Sequence, residues 1–140
     1  MKREICIRIK GIQKSEEGEE LVETAAFGEF SCIGDTVFLK YDELSEEGAV
    51  TKTLIKIKNT CVEVTKCGYM ESKMVFIPHT VTETDYSTPY GMLAMSLDTE
   101  DVAYNIEEKG VRIQITYLLY LNGTLVSKNQ LNIEADFCEE

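Results

Sequence analysis

The sequence predicts an all-β fold, an antiparallel up-and-down β-barrel, on three observations. Apolar and polar residues alternate with a period of two along most of the chain. Glycine, asparagine and aspartate punctuate the gaps between the alternating runs. No convincing apolar stripe at helical spacing appears anywhere.

The elements follow in order. Ile5, Ile7 and Ile9 alternate with Cys6, Arg8 and Lys10. Val37, Leu39 and Tyr41 alternate with Phe38, Lys40 and Asp42, and Ile55 and Ile57 with Leu54, Lys56 and Lys58. Val62 and Val64, then Met74 and Phe76, define two more runs, and Leu93–Leu97 and Val102–Ile106 a further two. Val111 to Leu121 and Leu125 to Phe137 close the chain around Asn122-Gly123, the dipeptide best suited to a two-residue type I′ hairpin, because both residues tolerate positive φ. The Asn-Gly-Thr triplet is also a glycosylation sequon, but the hairpin is the better reading. About ten short strands joined by tight turns make a meander. An open meander leaves two edges exposed, and closure into a barrel removes them.

Composition bounds what such a barrel does. The chain has 140 residues, which suits a single β-barrel domain spanning 1–140. Its net charge of -11 argues against nucleic acid as a partner, because phosphates need an excess of cations, and against docking on an anionic membrane. The N-terminus lacks a continuous apolar segment and no run approaches membrane-spanning length, so the expected location is cytoplasmic. The five cysteines show no C-x-x-C spacing and are expected as reduced thiols filling small apolar gaps in strands. Charge is uneven: residues 1–50 carry 12 acids and 6 bases, residues 51–87 carry 4 and 5, and residues 88–140 carry 9 and 3. The middle lysines Lys52, Lys56 and Lys58 share one parity and read as a solvated outer stripe that protects against edge pairing.

Cys67 to Thr99 carries a resemblance. Gly68, then Ser72-Lys73-Met74-Val75-Phe76, then Thr88-Pro89-Tyr90-Gly91 and Thr99 are similar to the YwiB-like family of small bacterial proteins. Leu39 to Glu43, Thr51 to Ile57, Tyr117-Leu118-Leu119 and Asn122-Gly123 extend the resemblance over nearly the whole chain. That family is a domain of unknown function with a calycin-type, lipocalin-like β-barrel. The resemblance implies a fold, and no catalytic residues come with it.

The residues themselves offer no convincing catalytic constellation. His79 is the only histidine and follows Pro78 in an apparent turn. The acidic pairs Asp98/Glu100/Asp101 and Glu107/Glu108 sit in polar, turn-like stretches, and no metal-ligand spacing or phosphate loop is present. The expectation is a non-enzyme without cofactor or metal. Two functions stand ahead of catalysis: binding of a small hydrophobic or amphipathic ligand at the barrel mouth, and a filled barrel that acts through its surface as a protein-interaction module. A homodimer is the oligomer considered. The inward positions are large, which favours a mostly filled interior with a modest pocket. Tyr41, Tyr86 and Tyr90 are the rim residues chosen for a ligand, with Glu43 and His79 as polar partners. Tyrosine suits a rim because it offers an apolar ring and a polar tip.

Overall fold

The computed structural model describes residues 2–69 and 71–138, and for Thr88 the backbone alone. Ten antiparallel strands form one sheet: β1 (Lys2–Ser15), β2 (Gly18–Ile33), β3 (Thr36–Leu44), β4 (Val50–Lys58), β5 (Cys61–Gly68), β6 (Ser72–Phe76), β7 (Thr80–Thr88), β8 (Gly91–Ile106), β9 (Gly110–Leu121) and β10 (Thr124–Phe137). The spatial order is β6-β5-β4-β3-β2-β1-β10-β9-β8-β7, so the first and last strands pair in the middle of the sheet and β6 and β7 form its two edges. Those edges meet. Glu71 and Ser87 exchange backbone hydrogen bonds of 3.2 and 2.9 Å, and the Thr82 hydroxyl donates to the Val75 carbonyl at 2.6 Å. The barrel is thereby nearly closed, with β6–β7 as its seam. No helix among the described residues is long and apolar enough to cross a membrane.

Period-two patterning explains the interior. Ile5, Ile7, Leu39, Ile55, Ile57, Val62, Phe76, Leu97, Ile115 and Ile133 are almost fully buried and point into one core. Burying large aliphatic side chains of this kind stabilises by roughly 1.5–3 kcal/mol each. The outer faces carry the charge. Lys56 and Lys73 flank Glu63 at 3.7 and 3.6 Å on the outside of β4, β5 and β6, which makes the lysine stripe a solvated surface.

Hairpins alternate between two ends of the barrel. The turns at 34–35, 59–60, 77–79 and 107–109 lie at one end, and those at 16–17, 45–49 and 89–90 and the Asn122-Gly123 turn at the other. Asn122 and Gly123 have φ of 50° and 82°, as the type I′ turn requires. Pro89-Tyr90 is the two-residue turn between β7 and β8, and Gly91, at φ 126°, pairs with Thr88.

Three strands differ from the sequence reading: β2 and β7 have no alternating run in it, and β8 is read there as two. The runs Leu93–Leu97 and Val102–Ile106 are one strand, β8, interrupted by a bulge at Glu100 where the register to β9 jumps. The extra residue flips parity, so odd residues face inward before it and even ones after it. Of the thiols, Cys32 packs against the core as expected, whereas Cys6 and Cys67 are exposed and Cys61 and Cys138 are half-buried.

Candidate functional site

The two ends of the barrel are built differently. At the first, Phe30 and Phe137 meet edge to face at 5.0 Å, and the Arg3 guanidinium lies 3.7 Å from the centre of the Phe137 ring. Beyond the β8 bulge, Tyr104 donates its hydroxyl hydrogen to the Asn59 carbonyl in the β4–β5 turn. Aromatic rings and a cross-barrel hydrogen bond therefore plug the lumen at this end, and outside them Arg3, Phe30, Ile106, Arg112, Asp136 and Phe137 line an open surface cavity of about 1020 Å³.

Toward the other end the lumen opens into a cavity of about 270 Å³, lined by Ile9, Val22, Ile55, Val64, Met74, Phe76, Tyr117, Leu131 and Ile133 together with the polar side chains of Thr24, Tyr41, Glu43 and Lys66. Phe76 and Tyr117 meet at a tilt of 54° with centroids 4.9 Å apart, and both line the cavity. At about 30 Å³ per water in the liquid, the volume equals roughly nine waters, just under the ~300 Å³ lower end of ligand pockets.

One polar cluster marks the wall. The Tyr41 hydroxyl donates to Glu43 Oε1 at 2.9 Å, and the Lys66 ammonium contacts Glu43 Oε2 at 3.2 Å. Strand parity brings them together. Glu43 continues the inward series Val37, Leu39, Tyr41, and Lys66 continues Val62, Val64. Glu43 and Lys66 side chains keep only 26% and 29% of their exposure, so both charges sit partly out of water and rely on each other. Burial pushes the Tyr41 phenol far up, and the neighbouring Glu43 carboxylate adds to it. Burial, and secondly the Glu43 charge, also push Tyr86 up. Burial alone pushes Tyr117 up to about 12. All three rings are held in the neutral, hydrogen-bonding form. Gly28 lies opposite Tyr41 in the β2–β3 ladder, where a Cβ would stand 2.2 Å from the Lys40 carbonyl oxygen, so only glycine lets β3 approach β2 closely enough to seat Tyr41.

The structure brings Tyr41, Glu43 and Tyr86 together. Tyr90 lies at the same end but in the β7–β8 turn with 96% of its surface exposed, so it neither plugs the core nor lines the cavity. His79 stands at the plugged end, in the β6–β7 turn with φ 60° and its amide donating to Thr99. Lys66 was missed by the sequence reading. Its signal was its parity with Val62 and Val64, hidden by its place in a locally basic segment.

The fold and cavity define a class: small up-and-down barrels with one plugged end and an apolar lumen that opens beside a half-buried ion pair. The chain belongs to the family described as Domain of unknown function (DUF1934), whose model matches residues 7–133. It is similar to the "Uncharacterized beta-barrel protein YwiB" of Bacillus subtilis (strain 168), 25% identical over 123 residues that make up 86% of each chain. The crystal structure of the ywiB protein from Bacillus subtilis superposes with a TM-score of 0.89 at 20% identity, covering 99% of this chain and 94% of that one. That likeness shows the fold. The family as described is of unknown function, and the relative's name adds only the barrel.

Proposed function

We propose that the protein binds a small amphipathic molecule with an uncharged, hydrogen-bonding head, apolar body inward and head against Glu43 and Lys66. The observation that carries this reading is the Tyr41–Glu43–Lys66 cluster set into the wall of an otherwise apolar lumen. An apolar cavity with few convergent polar groups is the usual form of a ligand site. The cluster is internally neutral, and the ammonium, with three donors, uses one on Glu43. A carboxylate head would compete with Glu43 for Lys66, and an ammonium head would compete with Lys66 for Glu43. An alcohol or amide head does neither.

The mouth adds a second argument. Glu16, Glu17, Glu46 and Glu47 are exposed in the turns around it, and this field repels anions. Binding rather than catalysis is the reading favoured here, because both Glu43 oxygens are engaged and, among the described residues, no hydroxyl or thiol nucleophile stands beside a free base in the cavity. The cytoplasm is the compartment in which we place it.

The test is a calorimetric titration with three probes of one chain length: octan-1-ol, octanoate and octylamine. The alcohol should bind at least about tenfold tighter than either ion, a difference of about 1.4 kcal/mol. Equal affinity for all three, or preference for octanoate, overturns the head-group assignment, and no binding by any overturns the ligand reading. A second reading, docking of a protein on the mouth, is favoured by Leu44, Tyr90, Met92 and Leu125, all exposed toward this end. A concentration-dependent dimer in sedimentation, with no binding of the probes, would select it.

A further inference from the structure

Cys6 and Cys138 lie far apart in sequence, yet their sulfur atoms are 3.5 Å apart. Cys6 is on the outer face of β1, opposite Asp136 in the β1–β10 ladder. Cys138 follows the last residue of β10 and is tied to β1 by one backbone hydrogen bond, from its amide to the Glu4 carbonyl at 2.9 Å. The two side chains thus leave the same face of neighbouring strands as a diagonal pair. A disulfide needs its sulfurs at about 2.03–2.05 Å. The gap to close is small, and Cys138 lies just outside the strand proper. Among the five free thiols, this is the pair found at sulfur–sulfur contact among the described residues.

We propose that Cys6 and Cys138 form a reversible disulfide that clamps the N-terminal strand to the end of the C-terminal strand, with oxidised glutathione or a similar small disulfide as oxidant. Cys6 is the more exposed and meets the oxidant first. Its thiolate attacks one sulfur of the glutathione disulfide and expels a glutathione thiolate. The Cys138 thiolate then attacks the Cys6 sulfur of the mixed disulfide and expels the second glutathione. Two protein thiols lose their protons to solvent and are oxidised together, and one glutathione disulfide is reduced to two thiols. The seam to be clamped matters because the β1–β10 ladder joins the two halves of the sheet, β2–β6 and β9–β7. A bond between residues so distant in sequence restricts the unfolded chain strongly.

The test is incubation of the full-length reduced protein with millimolar glutathione disulfide, followed by intact mass, thiol counting in denaturant and peptide mapping. The expected product is monomeric, lighter by two hydrogen atoms, with three of five thiols left and a Cys6–Cys138 cross-linked peptide. Its melting temperature should rise by on the order of 5 °C or more and return on reduction. Cys138→Ser should stop at a glutathione adduct on Cys6, and Cys61→Ser should behave as the parent does. Five thiols remaining, a stable glutathione adduct on the parent protein, or a cross-link between other cysteines would overturn the proposal.

Discussion

Replacing Lys66 by methionine tests whether the cluster in the lumen wall is an interior ion pair or a solvated surface contact. At 3.2 Å, Coulomb's law puts the attraction between Glu43 and Lys66 at about 1.3 kcal/mol in bulk water and about 5 kcal/mol at an effective dielectric of 20. Both side chains keep about a quarter of their exposure, so the environment lies between these limits and desolvation cancels part of the gain. The net coupling should be about 1–2 kcal/mol, above the 0.2–1 kcal/mol of exposed pairs. Lys66→Met leaves the Glu43 carboxylate in the lumen with the Tyr41 hydroxyl still donating to it and should cost about 2 kcal/mol. Lys66→Met combined with Glu43→Leu exchanges the pair for apolar groups and should recover most of that loss. Urea unfolding of the parent, both single variants and the double variant measures the coupling directly. Strictly additive effects, with a coupling under about 0.3 kcal/mol, would mean that water screens the pair, and the reasoning about a partly dry polar wall would fail.

Three further outcomes follow from the same geometry. Gly28→Ala should destabilise by about 1–3 kcal/mol or more, because its Cβ would meet the Lys40 carbonyl oxygen at 2.2 Å; an unchanged urea midpoint would refute the close approach. Tyr117 ionises near 10 when unfolded and at about 12 when folded, so its stabilising effect is full below pH 10 and is lost as pH rises through 12, a loss of up to about 3 kcal/mol to which Tyr41 adds in the same direction. Tyrosinate absorbance should then appear in two stages, the second coincident with alkaline unfolding; full titration near pH 10 with the fold intact would contradict it. Tyr90→Ala should change stability by less than about 1 kcal/mol while Tyr41→Ala costs roughly 3–5 kcal/mol, and thermal or urea melts of the two variants separate them.

The sequence made the architecture legible because the core is one-sided and strand parity is rigid. Ile5/Ile7/Ile9 and Val37/Leu39/Tyr41 alternate cleanly, and Asn122-Gly123 dictated its hairpin through backbone conformation alone. β2 escaped for the opposite reason. Its inward residues include Ala26, Gly28 and Thr24, small because β2 passes close to β3 and under Tyr41, so the alternation that marks a strand is muted. β8 was split in two because a bulge reverses parity without leaving any glycine or proline behind. At the site, the end of the Val37/Leu39/Tyr41 run pointed to Tyr41 and Glu43, which share a hydrogen bond, and the Pro-containing corner pointed to Tyr86, which packs against the core. His79 was not, because which end of a barrel a turn occupies depends on counting every strand before it, and that count ran through β2. Lys66 looked like one more surface lysine, and only Glu43, two strands away on the same wall, marks it as an interior one.

The most direct test of the central claim is a crystal structure of the protein soaked with octan-1-ol. The account predicts density for the alkyl chain between Ile55, Val64, Phe76 and Ile133, with the alcohol oxygen within hydrogen-bonding distance of Glu43 or Lys66 and the Tyr41–Glu43 hydrogen bond intact. A lumen that stays closed around its own side chains, with the alcohol absent or seated only on the outer rim near Tyr90, would contradict it.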